Sequence, residues 1–419
     1  QFEDFFLNGV RPFGSFKITY KEENYFMDRP DDMFRKMQKG RIFVIPDLII
    51  ILLEHVIGVT RKLELGGSIG IGRAWTKGGM DALLGSLGIT DPSEWILNEG
   101  DVTKIDQSLA DELINLFFSS RLQYFDPHHE DYPQAKKTIE FLIEEFTQKV
   151  THLTADLWAI VCGGVPSGAL HTSHMDSWLL LFLFVMFCLT KAEDYPQYAS
   201  QIETALMTKL IAIVVYGDDN WYFLPRGPLS ELLNAHQFAK WLDEYIGMEL
   251  RDIRVGHSLV SVPKNGFFSL KGGVYLRHYC VENHVKREGQ PKYLPYRPMK
   301  EIVLKTIYGR EPKTRGPANL LLSAIGHAYG TYGSNPFTYN WLWSLYQSVL
   351  LITDKPAEYF LKPDTHPERD LVRKMRQLNI TMEQLMKGFP TQELLEDMNT
   401  YDPSYHDKFS MSVRAMMST

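Results

Sequence analysis

The chain reads as an α+β protein in which short strands carry acids and apolar helices back them. Three observations predict this. Ile211-Ala212-Ile213-Val214-Val215 and Trp221-Tyr222-Phe223 are β-branched and aromatic runs on either side of Tyr216-Gly217-Asp218-Asp219-Asn220, the pattern of a hairpin with two acids at its tip. Residues 172–191 contain the longest apolar run, Trp178–Leu189, and read as one long core helix. From about residue 286 onward the pattern is mostly helical, punctuated at Pro295, Pro298, Gly309, Pro312 and Gly316-Pro317.

The remaining elements follow in order. Residues 1–60 are mixed, with a strand-like Arg41-Ile42-Phe43-Val44-Ile45-Pro46 and a short apolar run at Leu48–Leu53. Gly66-Gly67-Ser68-Ile69-Gly70-Ile71-Gly72 is expected to be a plain loop. As a phosphate loop it lacks the strand before, the helix after and the closing Lys-Ser/Thr. Trp95-Ile96-Leu97 is a strand-like lead into Asp101-Val102-Thr103-Lys104-Ile105-Asp106. Residues 107–155 carry helical periodicity, as in Thr138–Phe146. Residues 228–246 read as an amphipathic helix and 256–282 as strands and turns, so a boundary is expected near 285. Repeats and low-complexity tracts are absent from the sequence.

With 419 residues the chain is long enough for a large core and more than one domain, and 44% hydrophobic with 23% charged residues is ordinary for a soluble globular protein. Cys162, Cys188 and Cys280 lie far apart without a CxxC pair. That excludes a disulfide framework and a cysteine-based metal site, and fits a reducing compartment. A net charge of −7 argues against a general nucleic-acid coat, but a nucleic-acid enzyme needs only a basic channel lining. Basic clusters occur at Arg35–Arg41, Arg61-Lys62 and from Lys300 to Arg315, where a solvated charged face is the competing explanation. Residues 1–20 show no signal peptide, and Trp178–Leu189 is too short to cross a bilayer, so no membrane partner is expected. An opening Gln1 in place of Met leaves room for an upstream segment.

The chemistry centres on the acids. Adjacent carboxylates repel, and a chain tolerates them where cations neutralise them. Hard oxygen ligands on a rigid turn suit Mg²⁺, which binds phosphates alongside one or two carboxylates. Asp101, at the end of a strand, is placed to share two cations with Asp218, as two-metal phosphoryl transfer requires. Asp106 points elsewhere, towards the sugar of an incoming nucleotide, or else caps a helix. In Cys162–Ser177, glycines and a proline make a tight loop before a helix whose Thr172 and Asp176 share one face. A hydroxyl and a carboxylate so placed can hold a ribose 2′-OH. The competing explanation is that both residues only cap and solvate the helix start. Against it, Asp176 sits in an otherwise apolar helix, where an unpaired charge is costly.

The order D-x4-D at Asp101–Asp106, then Gly163-Gly164-Val165-Pro166-Ser167-Gly168 with Thr172 and Asp176-Ser177, then Tyr216-Gly217-Asp218-Asp219, resembles motifs A, B and C of viral RNA-dependent RNA polymerases. The Val-Pro-Ser-Gly…Asp-Ser form and Tyr296-Arg297-Pro298-Met299-Lys300-Glu301 are most similar to the polymerases of partitiviruses and picobirnaviruses, which have double-stranded RNA genomes. Picornavirus-type enzymes usually have Asn where this chain has Asp176. The motif-bearing region runs from about 35 to 315. Lys36, Lys39 and Arg41 resemble motif F, which holds the triphosphate. Lys264 resembles the motif D lysine that protonates pyrophosphate, with Lys271 as the competing assignment. Tyr275, Leu276 and Arg277 resemble motif E, which grips the primer, against the plainer reading of an amphipathic strand. Motif G is not identifiable, and nothing is drawn from Asn220.

The resemblance implies an α+β cupped right hand. Fingers come from residues 1–95 and 107–160, the palm from 96–106 (motif A) and 161–285 (motifs B to E), and a helical thumb from 286–419. It implies RNA synthesis from NTPs on an RNA template, with two Mg²⁺ (Mn²⁺ as a substitute) held by Asp101, Asp218 and Asp219. Lys264 is then the general acid, and Asp106, Thr172 and Asp176 select ribose. Ser167-Gly168 lets the motif B loop move with the template. The implied partners are the RNA template, the product duplex, NTPs and a viral capsid protein, and the implied location is the virion interior and host cytoplasm. A reverse transcriptase or another palm-type polymerase stays open, as does a palm-like scaffold without turnover. Gly217, where reverse transcriptases carry a bulkier residue, argues against the first. Asp126–Asp131, with His128 and His129, reads as a solvated turn, His171 and His174 as packing residues or as residues one layer behind the site, and the C-terminal aromatics Tyr329, Tyr332, Tyr339, Trp341, Trp343 and Tyr346 as core, with one or two exposed rings left open to stack on an initiating nucleotide.

Overall fold

The computed structural model describes residues 14–21, 41–58, 60, 67–154, 156–208, 210–261, 272–307, 316–331, 334–360 and 380–406. The described residues divide into two compact units, one drawn from 14–72 and 94–256 and the other from 73–93 and 257–406.

The first unit holds two four-stranded sheets. One has the order β2-β1-β4-β5, with β1 Phe16–Lys21, β2 Arg41–Pro46, β4 Gln148–His152 and β5 Trp158–Cys162. The other has the order β6-β7-β3-β8, with β3 Trp95–Val102, β6 Ala212–Tyr216, β7 Asp219–Pro225 and β8 Leu250–His257. β6 and β7 form the expected antiparallel hairpin, and β7 pairs antiparallel with β3. Alternation fails in β6, where Val214 and Val215 are both fully buried, because the sheet is covered on both faces.

One covering layer is the helix Thr172–Asp194. Its Phe184 ring lies 4.7 Å from Tyr222 of β7 and 5.4 Å from Phe238 of the helix Ala235–Trp241. Burying a ring such as Phe184 stabilises by about 1.5–3 kcal/mol. The helix is longer than its apolar run. Its 23 residues are enough to cross a bilayer by length and composition, yet Leu179, Leu183, Phe184 and Phe187 sit in the hydrophobic core.

Three segments differ from the sequence expectation. Within 107–155, helices Asp111–Ser120 and Tyr132–Thr147 form, but the chain then turns into β4, where Val150 and Thr151 favour a pleated surface. The span 228–246 is broken into helices Pro228–Leu232 and Ala235–Trp241 and a π-turn at Leu242–Ile246. Asn234 causes the break: its side chain accepts from the His236 and Gln237 N–H groups, which starts a new helix. The glycine-rich stretch is more than a loop. Ile69 bridges Val215 in parallel, with Gly70 N–H donating to Val215 O at 2.8 Å and Val215 N–H to Ser68 O at 2.8 Å.

The second unit combines a small sheet with a helical layer. β11 His278–Glu282 pairs with β10 Val274–Tyr275, β12 Tyr293–Tyr296 and the short β9 Val260–Ser261. The helix Gly79–Ser86 belongs here, and its Asp81 accepts the backbone N–H groups of Lys292 (2.6 Å) and Tyr293 (2.8 Å). Helices Met299–Ile307, Pro317–Thr331 and Pro336–Thr353 bury Leu321, Ile325, Tyr329, Leu342 and Tyr346, so Tyr329 and Tyr346 are core, as expected, whereas Trp343 is exposed and Tyr332 lies outside the described residues.

Candidate active site

The site begins at the β6–β7 turn. Gly217 has φ +62° and open space around it, so the left-handed backbone, not crowding, requires glycine. Two contacts hold the turn. Gly217 N–H donates to Ser177 Oγ at 2.8 Å, which ties it to the long helix. Asn220 Nδ2 donates to Gly100 O at 2.7 Å and to Asp218 O at 3.3 Å, which ties it to β3. Asn220, passed over in the sequence, therefore helps join the two acidic strands, along with Trp221, whose Nε1 donates to Glu99 Oε2 at 3.0 Å.

The β3–β7 ladder fixes the register. Asp101 lies opposite Asp219 across the β3–β7 ladder, and Asp218 sits exposed in the turn. The Asp101 carboxyl is raised above its ordinary range by partial burial first, then by the Asp218 charge and a hydrogen bond with it, while Arg251 opposes the shift. The Arg251 guanidinium stands 3.9 Å from Asp101 Oδ2. Among the described residues no three His, Cys, Asp or Glu groups form a ready-made metal cage. The acids nevertheless suit a hard cation that keeps its waters, since Asp101 and Asp218 converge, repel when ionised and remain partly open to solvent.

Beside them, Asp176 is 5% exposed, and its Oδ1 has no hydrogen-bond partner among the described residues. Burial, then the charges of Asp106 and Asp218, push its carboxyl well above the usual range. Asp176 thus neither solvates nor caps the helix start. Its neighbour Thr172, one turn earlier, donates its hydroxyl proton to Pro166 O at 2.6 Å or Ala169 O at 3.1 Å, and its oxygen lone pairs remain. Asp106 lies in the first turn of the helix Ile105–Ser108, whose N-cap position is Lys104, so it is not the cap.

The loop from Gly163 to Gly168 is held from both sides. Gly163 and Gly164 both have φ +67°. Gly163 N–H donates to Asp111 Oδ1 (2.9 Å), Gly164 N–H to Leu109 O (2.8 Å) and Val165 N–H to Asp106 O (2.5 Å). At the other end Gly168 N–H donates to Val44 O at 2.9 Å, and Val44 N–H to Ser167 Oγ at 3.4 Å. A Cβ on Gly168 would stand 2.9 Å from that Val44 carbonyl, which is backbone and cannot step aside cheaply. Where the long helix begins, the fully buried Glu54 accepts Leu170 N–H (3.0 Å) and His171 N–H (3.1 Å), and its Oε1 lies 3.3 Å from His171 Nδ1. His171 and His174 are packing residues: each ring packs on Phe117.

The family model for viral RNA-dependent RNA polymerases matches residues 54–253, the span that contains all of these acids. The chain is an RNA-directed RNA polymerase. Its structure is similar to that of the Sicinivirus 3Dpol RNA-dependent RNA polymerase, with a TM-score of 0.55 at 14% sequence identity over 87% of this chain and 68% of that one. That likeness gives the fold, a right-hand polymerase with an antiparallel palm sheet. No curated protein sequence matches the chain.

Other expected polymerase residues fall as follows. Lys36, Lys39, Lys264 and Lys271 lie outside the described residues, and of Arg41 only the backbone, at the start of β2, is described. Tyr275 is buried at the end of β10. Leu276 (φ +50°) and Arg277 (φ +62°) form the two-residue turn into β11, with Arg277 exposed. The Val274–Arg277 segment thus leads into a tight hairpin turn rather than forming a plain amphipathic strand. His128 and His129 are exposed in a turn, as expected. Sequence reasoning missed Glu54, Lys149, Asp111 and Arg251. A lone acid in the apolar run Leu48–Ile57 was a usable signal for Glu54.

Proposed function

We propose that the polymerase replicates and transcribes a viral RNA genome by two-metal nucleotidyl transfer, with Asp101, Asp218 and Asp219 holding two Mg²⁺. The observation that carries this is the convergence of Asp101 and Asp218 beneath a rigid turn, a pair left electrostatically incomplete without cations. Bound Mg²⁺ would supply Lewis acidity at the attacking 3′-hydroxyl and charge neutralisation at the departing pyrophosphate. The chain's own groups orient the nucleotide. Thr172 Oγ1 offers a lone pair to the ribose 2′-OH, and Asp176 Oδ1 offers it a buried partner. A deoxyribose would leave Asp176 unpaired, at a cost of about 1–3 kcal/mol. Asp106 takes the other side of the sugar.

Several roles extend this reading. Lys36, Lys39 and Arg41 contact the triphosphate, and Lys264, with Lys271 as the competitor, protonates the leaving group. Tyr275, Leu276 and Arg277 guide the primer strand. Fingers, palm and thumb follow the boundaries given above. Asp176 in place of Asn, with Tyr296–Glu301, supports a partitivirus- or picobirnavirus-like lineage, in which the enzyme would work beside capsid protein inside the virion.

The test is extension on a single-stranded RNA template, without primer, comparing NTPs with dNTPs at increasing Mg²⁺. Mg²⁺-dependent RNA product with poor dNTP use is expected. A preference for dNTPs would sink the reading.

A further inference from the structure

Lys149 is 4% exposed, yet it carries an ammonium group. Its Nζ donates to Gly163 O at 2.6 Å, Phe146 O at 2.8 Å and Gly164 O at 3.0 Å. Two successive left-handed glycines turn their carbonyls onto one cation, an arrangement that a metal or a water would otherwise fill. Phe146 O belongs to the last turn of the helix Tyr132–Thr147, where the helix dipole favours positive charge. Asp111, whose Oδ1 holds the Gly163 N–H, adds an opposite charge nearby. The β4–β5 pairing brings Lys149 there, since Gly163 directly follows β5 and Lys149 sits opposite Val161.

Burying an ammonium is costly, and an apolar side chain would seat a purely structural loop at lower cost. The three carbonyls use all three ammonium donors, so the group is fully satisfied. The same loop base is stapled to the helix carrying Asp106, through Val165 N–H to Asp106 O and Gly164 N–H to Leu109 O.

We propose that Lys149, with Asp111, is a positioning residue of the polymerase: a buried cationic seat that fixes the base of the Gly163–Gly168 loop and so the register of Asp106, Thr172 and Asp176 against the incoming ribose. Lys149 is closed off from solvent and would act only through the loop it holds. The kinetic part of this inference rests on the polymerase reading; the structural part does not.

Burial lowers the Lys149 pKa to about 8, while Asp111 on the neighbouring helix and the Cys162 thiol at the end of β5 hold it up. Below that value the group keeps three donors. Above it the neutral amine has two, and one carbonyl of the seat loses its partner.

The experiment compares full-length wild type, Lys149→Met, Lys149→Arg and Asp111→Asn by amide hydrogen exchange and by nucleotide incorporation. In Lys149→Met, amides of Gly163, Gly164 and Val165 should exchange at least about tenfold faster, with the amides of β4 and Tyr132–Thr147 unchanged. KM for NTPs should rise about tenfold with kcat within about threefold, and discrimination against dNTPs should fall. Lys149→Arg, which keeps the charge, should recover part of both. Wild-type KM should climb between pH 7 and 9, and that climb should vanish in Lys149→Met. Unchanged exchange at 163–165, or acceleration spread evenly over the β4–β5 hairpin, would overturn the seat. If Lys149→Met does not fold, Asp111→Asn decides: it keeps an oxygen for Gly163 N–H but removes the charge, so the same amides should quicken, and unchanged exchange refutes the proposal. If wild type incorporates no NTP, the polymerase mechanism fails while the exchange data still decide the seat.

Discussion

The acid-bearing turn and the glycine loop beside it are built in opposite ways. The turn at Gly217-Asp218 takes its shape locally, from a β-branched strand, an aromatic strand and one left-handed glycine, and is then tied to Ser177 and to β3, where Asp219 lies opposite Asp101. The loop at Gly163–Gly168 has no ladder. It is held by groups far away in the chain: Asp111, Lys149 and Val44, with Glu54 holding the helix start that follows. On the proposed mechanism, a turn presenting metal-binding acids needs rigidity, and a loop that would admit template and nucleotide is better held at its two ends, with its middle left adjustable. The turn's shape is encoded nearby, whereas the placement of both turn and loop is set by residues elsewhere in the chain.

Removing the turn's charge should have the largest effect. Asp218→Ala/Asp219→Ala is expected to lower incorporation by about a thousandfold or more while RNA affinity, measured by filter binding, stays near wild type. Equal losses in both would mean that the turn serves folding rather than catalysis. Next comes the loop's far end. Gly168→Ala should be destabilised by about 1–3 kcal/mol and lose activity, because its Cβ meets the Val44 carbonyl. A denaturant midpoint equal to wild type would show that the loop already moves freely there. Ser177→Ala removes the acceptor of Gly217 N–H, and about 1 kcal/mol of stability should go with it, with kcat falling more than KM rises.

The smallest effect concerns pH. Asp101 and Asp176 have folded-state pKa values above their unfolded ones, so the folded state binds more protons. Their contribution is therefore present at low pH and lost as pH rises through the raised values. Without divalent cations, thermal stability should drop over that rise, Asp101→Asn should blunt the drop, and Mg²⁺ should reverse it in wild type. A melting temperature independent of Mg²⁺ above that range would contradict the cation site.

Legibility in the sequence follows the same division. The hairpin, the strand carrying Asp101 and the helix carrying Thr172 and Asp176 could be read directly, because period and turn chemistry are local signals. The break at Asn234 could have been read from its capping residue, but the continuous amphipathic pattern of 228–246 concealed it. Asn220 looked uninformative because its partner, Gly100, is 120 residues away. Lys149 lies in a helical-looking stretch, and nothing local marks a lysine that will be buried under two glycines. Glu54 reaches Leu170 across 116 residues, a pairing that only the fold creates.

The most direct test of the account is single-nucleotide incorporation on an RNA template by wild type, Asp101→Asn and Asp218→Asn, with RNA affinity measured on the same preparations. The account predicts Mg²⁺-dependent incorporation by wild type, near-complete loss in both variants and unchanged RNA binding. Substantial incorporation by either variant would contradict it.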